Sequence, residues 1–393
     1  MNGILYLAWR YLSFHRWKTV ILVSAIALVM YLPAAIQALI DQTAERLNTR
    51  AETTPYLVGA LGSPLELALN SLYFHAAPPP RLNYTEISHM RDEGLAIPIP
   101  LYVRFQSRGI PIVGTSPAYF EYRNLAISEG RAIAMLGEAV LGAKAAKQLG
   151  VGVGDYVLSS PENVFDLAGV YPLKMPVVGI LGAKATPDDE AIFVDIKTTW
   201  VIEGLGHGHQ DLQTPTASAT ILKQEEDNIV SNASVVQYNE ITNDNIDSFH
   251  FHGNTNQYPL TAVIAAPTDD KSAVILMGRY EGREDNVQMQ QPPQVMTELM
   301  DTIFTVRTYV IAAMLLLGLA TTLVAVLVFL LSLRLRRNEF QTMSRIGGSR
   351  WGVALLSGSE ILLVLVTSSI VALILTLLTR AFGGPLIEAY IVS

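Results

Sequence analysis

Three apolar runs constrain the fold before any other feature: Thr19–Ile40, Val306–Leu333 and Gly352–Leu378. A bilayer core of about 30 Å takes roughly 20 residues of helix, and each run reaches that length. Within them the only Asp, Glu, Lys or Arg residues are Arg307, at one edge of the second run, and Glu360, near the start of the third. The basic residues Arg10, Arg16 and Lys18 precede the first run, as they would in a signal peptide. Its apolar stretch, however, exceeds the roughly 7–15 residues such a peptide uses, and no small-residue cleavage site follows cleanly. It therefore reads as an uncleaved anchor.

The positive-inside bias gives an orientation. The first 18 residues carry Arg10, Arg16 and Lys18 with no acid, and the polar interruption 334–350 carries Arg334, Arg336, Arg337, Arg345 and Arg350 against Glu339 alone. Both belong in the cytoplasm, so residues 41–301 belong outside. The formal net charge of −8 averages two unlike parts, because nearly all the acid lies in this outer segment. That argues against nucleic acid and anionic head groups as ligands of the outer domain. The chain contains no cysteine, which removes disulfides, thiolate metal sites and thiol catalysis together.

The outer segment reads as mixed α/β. Short β-branched runs between Ile110 and Asp195 (IPIVG, DYVLS, PVVGIL, AIFVD) are punctuated by Gly and Pro, and EAVLGAKAAKQLG, Glu138 to Gly150, reads as a helix that Gly150 stops. Thr85 to Gly94 and Thr268 to Tyr280 read as further helices, the latter with an Asp-rich cap, and Ser218 to Leu222 and Thr261 to Ala266 as strands. This layout implies a first subdomain over about 45–113 and 258–300, with a second, 114–257, inserted in it.

The cytoplasmic interruption has its own chemistry. Arg334 to Ile346 fits an amphipathic helix with Phe340, Met343 and Ile346 on one side, ended by Gly347-Gly348, where positive φ is easy. Such a helix either lies on lipid phosphates or docks into a partner. No G-x-x-x-x-G-K-[ST] and no G-x-S-x-G occurs in the sequence. The chain reads as non-catalytic on its own.

The order of one helix, a large outer domain and a helix pair joined by an Arg-rich loop resembles the MacB/FtsX-type permeases of ABC transporters, the mechanotransmission class that includes LolC and LolE. The outer portion of the resemblance is VGTSPAYFEYRNLAISEGRAIAMLGEAVLGAKAAKQLGVGVGDYV, then MPVVGIL, then DDEAIFVD. These follow the family's order of a V-x-G turn, a Gly-Arg, a V-L-G helix ending L-G-x-x-x-G-D, a V-V-G-I strand and an acidic turn. The cytoplasmic portion, RRNEFQTMSRIGGSRWGVALLSGSEILL, resembles R-R-x-E-I-x-x-x-R-x-x-G-A-S-R followed by an apolar run with a Glu. It departs at Ser344, where the pattern has an arginine, with Arg345 one residue later.

The resemblance implies three transmembrane α-helices (19–40, 306–333, 352–379) and a MacB-like extracytoplasmic α/β domain of two subdomains, in a bacterial inner membrane. It implies that 334–350 carries the coupling helix, with Glu339, Phe340, Met343, Arg345 and Ile346 meeting a cytoplasmic ABC ATPase dimer that binds ATP and Mg. A second permease protomer, identical or not, and a periplasmic adaptor are the other implied partners. Family members carry a fourth crossing, whereas only AFGGPLIEAYIVS follows Arg380; three crossings are expected here, with the 380–393 tail outside.

Two further features invite chemistry. Glu360 is an intramembrane carboxylate, a position that signals either an ion path or a structural partner; the family commonly carries an acid here, and pairing is the expectation. Six of the seven histidines lie in the outer segment, four of them as His207-x-His209 and His250-x-His252. Histidines at i and i+2 on a strand share a face, yet both pairs sit in Gly- and Asn-rich loops with no carboxylate to complete a set, so no metal is expected. The functional expectation is a permease subunit that converts ATP hydrolysis by a partner into movement of its outer domain, driving export or extraction of a substrate from the outer membrane face. The alternative is an FtsX-like regulator of a cell-wall hydrolase. A receptor is disfavoured because the cytoplasmic parts hold no signalling domain.

Overall fold

The computed structural model describes residues 2–75, 77–160, 172–208, 221–225, 228–231, 238–283, 285–345 and 349–391. The chain divides into two compact units, Met1–Thr49 with Glu298–Ser393, and Arg50–Thr297.

The first unit is helical. A short helix α1 (Asn2–Phe14) precedes α2 (Arg16–Glu52), then come α3 (Pro292–Leu335), α4 (Arg337–Arg345) and α5 (Arg350–Ile391). Among the described residues α2, α3 and α5 are the three helices long and apolar enough to cross a membrane. They exceed the sequence-based spans. With 44 residues, α3 is about 66 Å long, twice a bilayer core, because Glu298 and Asp301 continue the helix beyond the apolar run. The last helix likewise runs on to Ile391, through Gly383-Gly384-Pro385, where the sequence reading ended it at 379.

The second unit is built on one mixed sheet of ten strands among the described residues. In chain order these are β1 (Tyr56–Ala60), β2 (Ala96–Ser107), β3 (Ile110–Thr115), β4 (Ile127–Gly130), β5 (Ala139–Leu141), β6 (Tyr156–Leu158), β7 (Lys174–Leu181), β8 (Ile192–Asp195), β9 (Ala262–Pro267) and β10 (Val287–Gln290). The spatial order is β10-β1-β9-β2-β3-β8-β5-β7-β4, with β6 beside β7; β3 with β8 and β5 with β7 run parallel, the other pairs antiparallel. The central hairpin turns at Arg108 and Gly109, both at positive φ (48° and 83°), the conformation of a two-residue hairpin turn that matches strand twist.

Alternation along each strand splits the core between the two sheet faces. Tyr56, Val58, Ile112, Ile192, Val194, Val263 and Ala265 belong to one buried cluster, and their neighbours Leu57, Val113, Phe193, Ala262 and Ile264 to the other. A sheet covered on both faces explains why its strands read as continuous apolar runs rather than as alternating ones.

One expected element divides. Glu138–Gly150 is not a single helix: Ala139–Leu141 is strand β5, and only Ala143–Leu149 is helical. Val140 and Leu141 are fully buried between β7 and β8, where pairing on both sides holds this short apolar run as a strand while the Ala-Lys run after it stays helical. Gly142 makes the break, since a Cβ there would stand 2.3 Å from the Asp188 carbonyl oxygen. Gly150 does end the helix, at φ 67°. The helix Asp270–Glu281 is capped by Asp269, whose side chain accepts from the Ser272 N–H at 2.6 Å. Strand residues 218–220 of the sequence reading lie outside the described residues.

Candidate functional site: the turn between α3 and α4

The polar interruption 334–350 resolves into a continuation of α3 to Leu335, a turn at Arg336, and the nine-residue α4. Arg336 is buried, and so is its partner Glu360, one residue on the third apolar run. Arg336 Nη1 donates to both carboxylate oxygens of Glu360, at 2.8 and 3.0 Å. Its guanidinium lies over the Tyr11 ring at 3.8 Å and near the Phe340 ring at 5.1 Å. Beside it the buried Ser332 hydroxyl accepts from Lys18 Nζ at 2.7 Å and meets the Tyr11 hydroxyl at 3.4 Å.

This cluster joins α1, α2, α3, α4 and α5 at one point. Two opposite charges taken out of water together are tolerable only with close, bonded geometry, and here the carboxylate has it. The carboxylate on the third apolar run is therefore neutralised by Arg336, the residue at the turn between α3 and α4. Glu360 is legible in the sequence as a charge within an apolar run, whereas its partner, 24 residues away, is one of five arginines in the 334–350 interruption.

Of the residues expected to dock, Glu339, Phe340, Met343 and Arg345 fall on α4. Arg337, Asn338, Gln341, Thr342 and Arg345 are exposed, and Phe340 is half-buried toward Arg336. Glu339 and Met343 lie on the same helix, and Ile346 lies outside the described residues together with Gly347 and Gly348. The helix that begins at Arg334 by sequence thus begins at Arg337, because α3 claims the first turn.

In the outer unit the end of α2 is held by a second buried charge pair. Arg50, in the last turn of α2, makes a two-bond contact with Asp188 at 2.7 and 2.8 Å. The Tyr119 hydroxyl donates to Asp188 at 2.6 Å and accepts from Arg50 at 2.8 Å. Around it Arg123 donates to Thr53 and Thr54 at 3.0 and 2.7 Å, and the Tyr122 hydroxyl to the Thr53 carbonyl at 2.6 Å. Burial pushes the Asp188 carboxyl up, and Arg50 and Tyr119 more than offset it, leaving the group below its ordinary value. Burial also raises the Tyr119 phenol. Neither residue was singled out in the sequence; DDE before a strand marked the loop, but not the partner on α2.

A cavity of about 500 Å³ opens on the same unit, walled by Phe120, Ile133, Met135, Leu136, Phe249 and Phe251, with Thr115, Ser116, Asp195 and Lys197 at its polar side. Asp195 caps the helix Ile196–Ile202 through the Lys197 N–H at 2.9 Å, and burial raises its carboxyl. Of the histidine candidates, His207, His250 and His252 come together, while His209 lies outside the described residues.

A family model described as the MacB-like periplasmic core domain matches residues 20–234, more than half of the chain. Among solved structures the chain is similar to the extracellular domain of the noncanonic ABC-type transporter YknZ from Gram-positive bacteria, at 13% identity and a TM-score of 0.32, covering 60% of this chain and 99% of that one. It is also similar to the periplasmic region of MacB from Actinobacillus actinomycetemcomitans, at 10% identity and a TM-score of 0.35, covering 63% and 92%. No curated protein matches it. The chain belongs to the MacB-like family, as an ABC transporter permease of the MacB/FtsX type with three membrane helices and an extracytoplasmic α/β domain.

Proposed function

We propose that this permease couples ATP hydrolysis by a separate cytoplasmic ATPase dimer, which binds ATP and Mg, to movement of its outer domain, and so drives export or extraction of a substrate from the outer membrane face. The observation that carries this reading is α4, a short, exposed, basic helix between two membrane helices whose root is pinned at Arg336 to Glu360. A pinned root makes α4 a lever: a push on its exposed face reaches α1, α2 and α5 through one bonded cluster instead of being absorbed by a loose loop.

In this reading α4 and the N-terminus face the cytoplasm, Glu339, Phe340, Met343, Arg345 and Ile346 form the ATPase contact, and a second protomer completes the permease. The clamp of Arg50 on Asp188 serves the same purpose at the other end of α2, since a pull on the helix is delivered to the loop before β8. A periplasmic adaptor is the outer partner, and the cavity beside Phe249 and Phe251 is the place for an apolar group of the cargo. Reconstitution with the partner ATPase tests this. Arg345→Glu and Phe340→Glu should leave membrane insertion intact while ATP hydrolysis no longer drives transport; unchanged transport in both variants would refute it. Recovery of a cell-wall hydrolase activator in place of an adaptor would point instead to an FtsX-like regulator.

A further inference from the structure

We propose that His207, His250 and His252 form a binding site for one divalent transition-metal ion of the Zn²⁺ or Cu²⁺ class on the outer domain. His207 and His250 belong to a two-stranded ribbon, Gly206–Gly208 against Phe249–Phe251, that stands apart from the main sheet, and His252 comes directly after its second strand. His207 lies directly across from His250 in the register. His252 follows two residues later, so strand alternation puts all three imidazoles on one face.

The other face explains why they gather there. Phe249 and Phe251 point away from the histidines and wall the cavity. Gly206 and Gly208, on either side of His207, sit beneath those rings: a Cβ would come within 2.6 Å of the Phe251 ring at the first position and 2.5 Å of the Phe249 ring at the second. The rings therefore seat on bare backbone, and the side chain between the two glycines is turned to the opposite side.

The geometry suits a metal. The imidazole centroids are 4.8 to 4.9 Å apart, and one ligand atom from each residue lies within 4.8 Å of the others. Bonds of 2.0–2.1 Å at tetrahedral angles bring ligand nitrogens to about 3.3 Å, a closure that side-chain rotation provides while the strands stay in register. His250 Nδ1 lies 3.0 Å from the Ser248 carbonyl oxygen. A carbonyl only accepts, so Nδ1 is the protonated nitrogen and the lone pair is at Nε2, the arrangement by which an outer partner orients a ligating histidine. The Tyr258 hydroxyl meets the carbonyls of His252 at 2.7 Å and Leu205 at 3.3 Å, tying the two strands together next to the site. Three neutral nitrogen donors favour Zn²⁺ or Cu²⁺ over oxygen-seeking Ca²⁺ and Mg²⁺, and leave a fourth position for water or an outside ligand. An ion held on this face stiffens the ribbon whose reverse face lines the cavity.

The test is a calorimetric titration of the tag-free full chain in detergent with zinc chloride, near neutral pH. One equivalent should bind. His252 is exposed, so His252→Ala should keep the fold and weaken binding at least about tenfold, the loss that removal of even an outer partner of a ligand causes. His250→Ala combined with His252→Ala should abolish it, and His75→Ala, at a well-exposed histidine elsewhere, should change nothing. Copper loading should give a resonance spectrum with nitrogen couplings. Failure of the unmodified chain to bind zinc, or equal binding by the double variant, would overturn the proposal.

Discussion

Removing one partner of the Arg50 and Asp188 pair is the sharpest stability test of the outer domain. Arg50 is 7% exposed and Asp188 1%, and the carboxylate accepts from two guanidinium nitrogens, the Tyr119 hydroxyl and, at 3.1 Å, the Thr186 hydroxyl. Arg50→Met strands a buried anion and Asp188→Asn a buried cation; breaking such a pair from one side costs about 3–5 kcal/mol. The unit spans Arg50–Thr297, a size at which each kcal/mol moves Tm by roughly 2–4 °C. Each single variant should therefore melt roughly 6–20 °C lower. Arg50→Met with Asp188→Leu removes both charges and should recover most of the loss, because an apolar replacement of a buried pair is close to neutral. Scanning calorimetry of the purified chain reads all three. Single variants that melt within about 1 °C of the parent, or a double variant as low as the two losses added, would refute the reasoning.

The same pair sets an acid limit. The Asp188 carboxyl lies below its ordinary value in the fold, so its contribution is complete above the unfolded value of about 3.9 and is lost as pH falls through the lowered one; melting curves below about pH 4 should steepen in the parent and less so in Asp188→Asn. Arg336→Met should destabilise the helical unit by about 3–5 kcal/mol, with Arg336→Met and Glu360→Met together recovering most of it, read as the fraction of chain surviving a heating step in detergent. Glu360→Gln should uncouple transport from hydrolysis without abolishing ATP turnover if α4 needs its anchored root; full coupling in that variant would remove the lever from the account.

Membrane spans and sheet strands were legible because both depend on local composition: apolar runs of bilayer length, and β-branched runs between Gly and Pro. The strand Ala139–Leu141 was not, since its neighbours β7 and β8 arrive from positions 174–195 and the sequence runs from it straight into a helical Ala-Lys tract. Glu360 was visible as a misplaced charge, whereas Arg336 was one arginine among several and only packing picks it out. Arg50 and Asp188 meet across 138 residues, a contact no periodicity records. The histidines showed the opposite limit: their i, i+2 spacing was plain, but the approach of His207 to His250 and His252 depends on the register of Gly206–Gly208 against Phe249–Phe251.

The central claim is that α4 seats on an ATPase, and the direct measurement is a site-specific photo-cross-link from position 345, exposed at the end of α4, in intact membranes. The account predicts one dominant adduct with a nucleotide-binding subunit, its yield changing between nucleotide-free and ATP-bound conditions. Adducts with lipid alone, the same in both conditions, would contradict it.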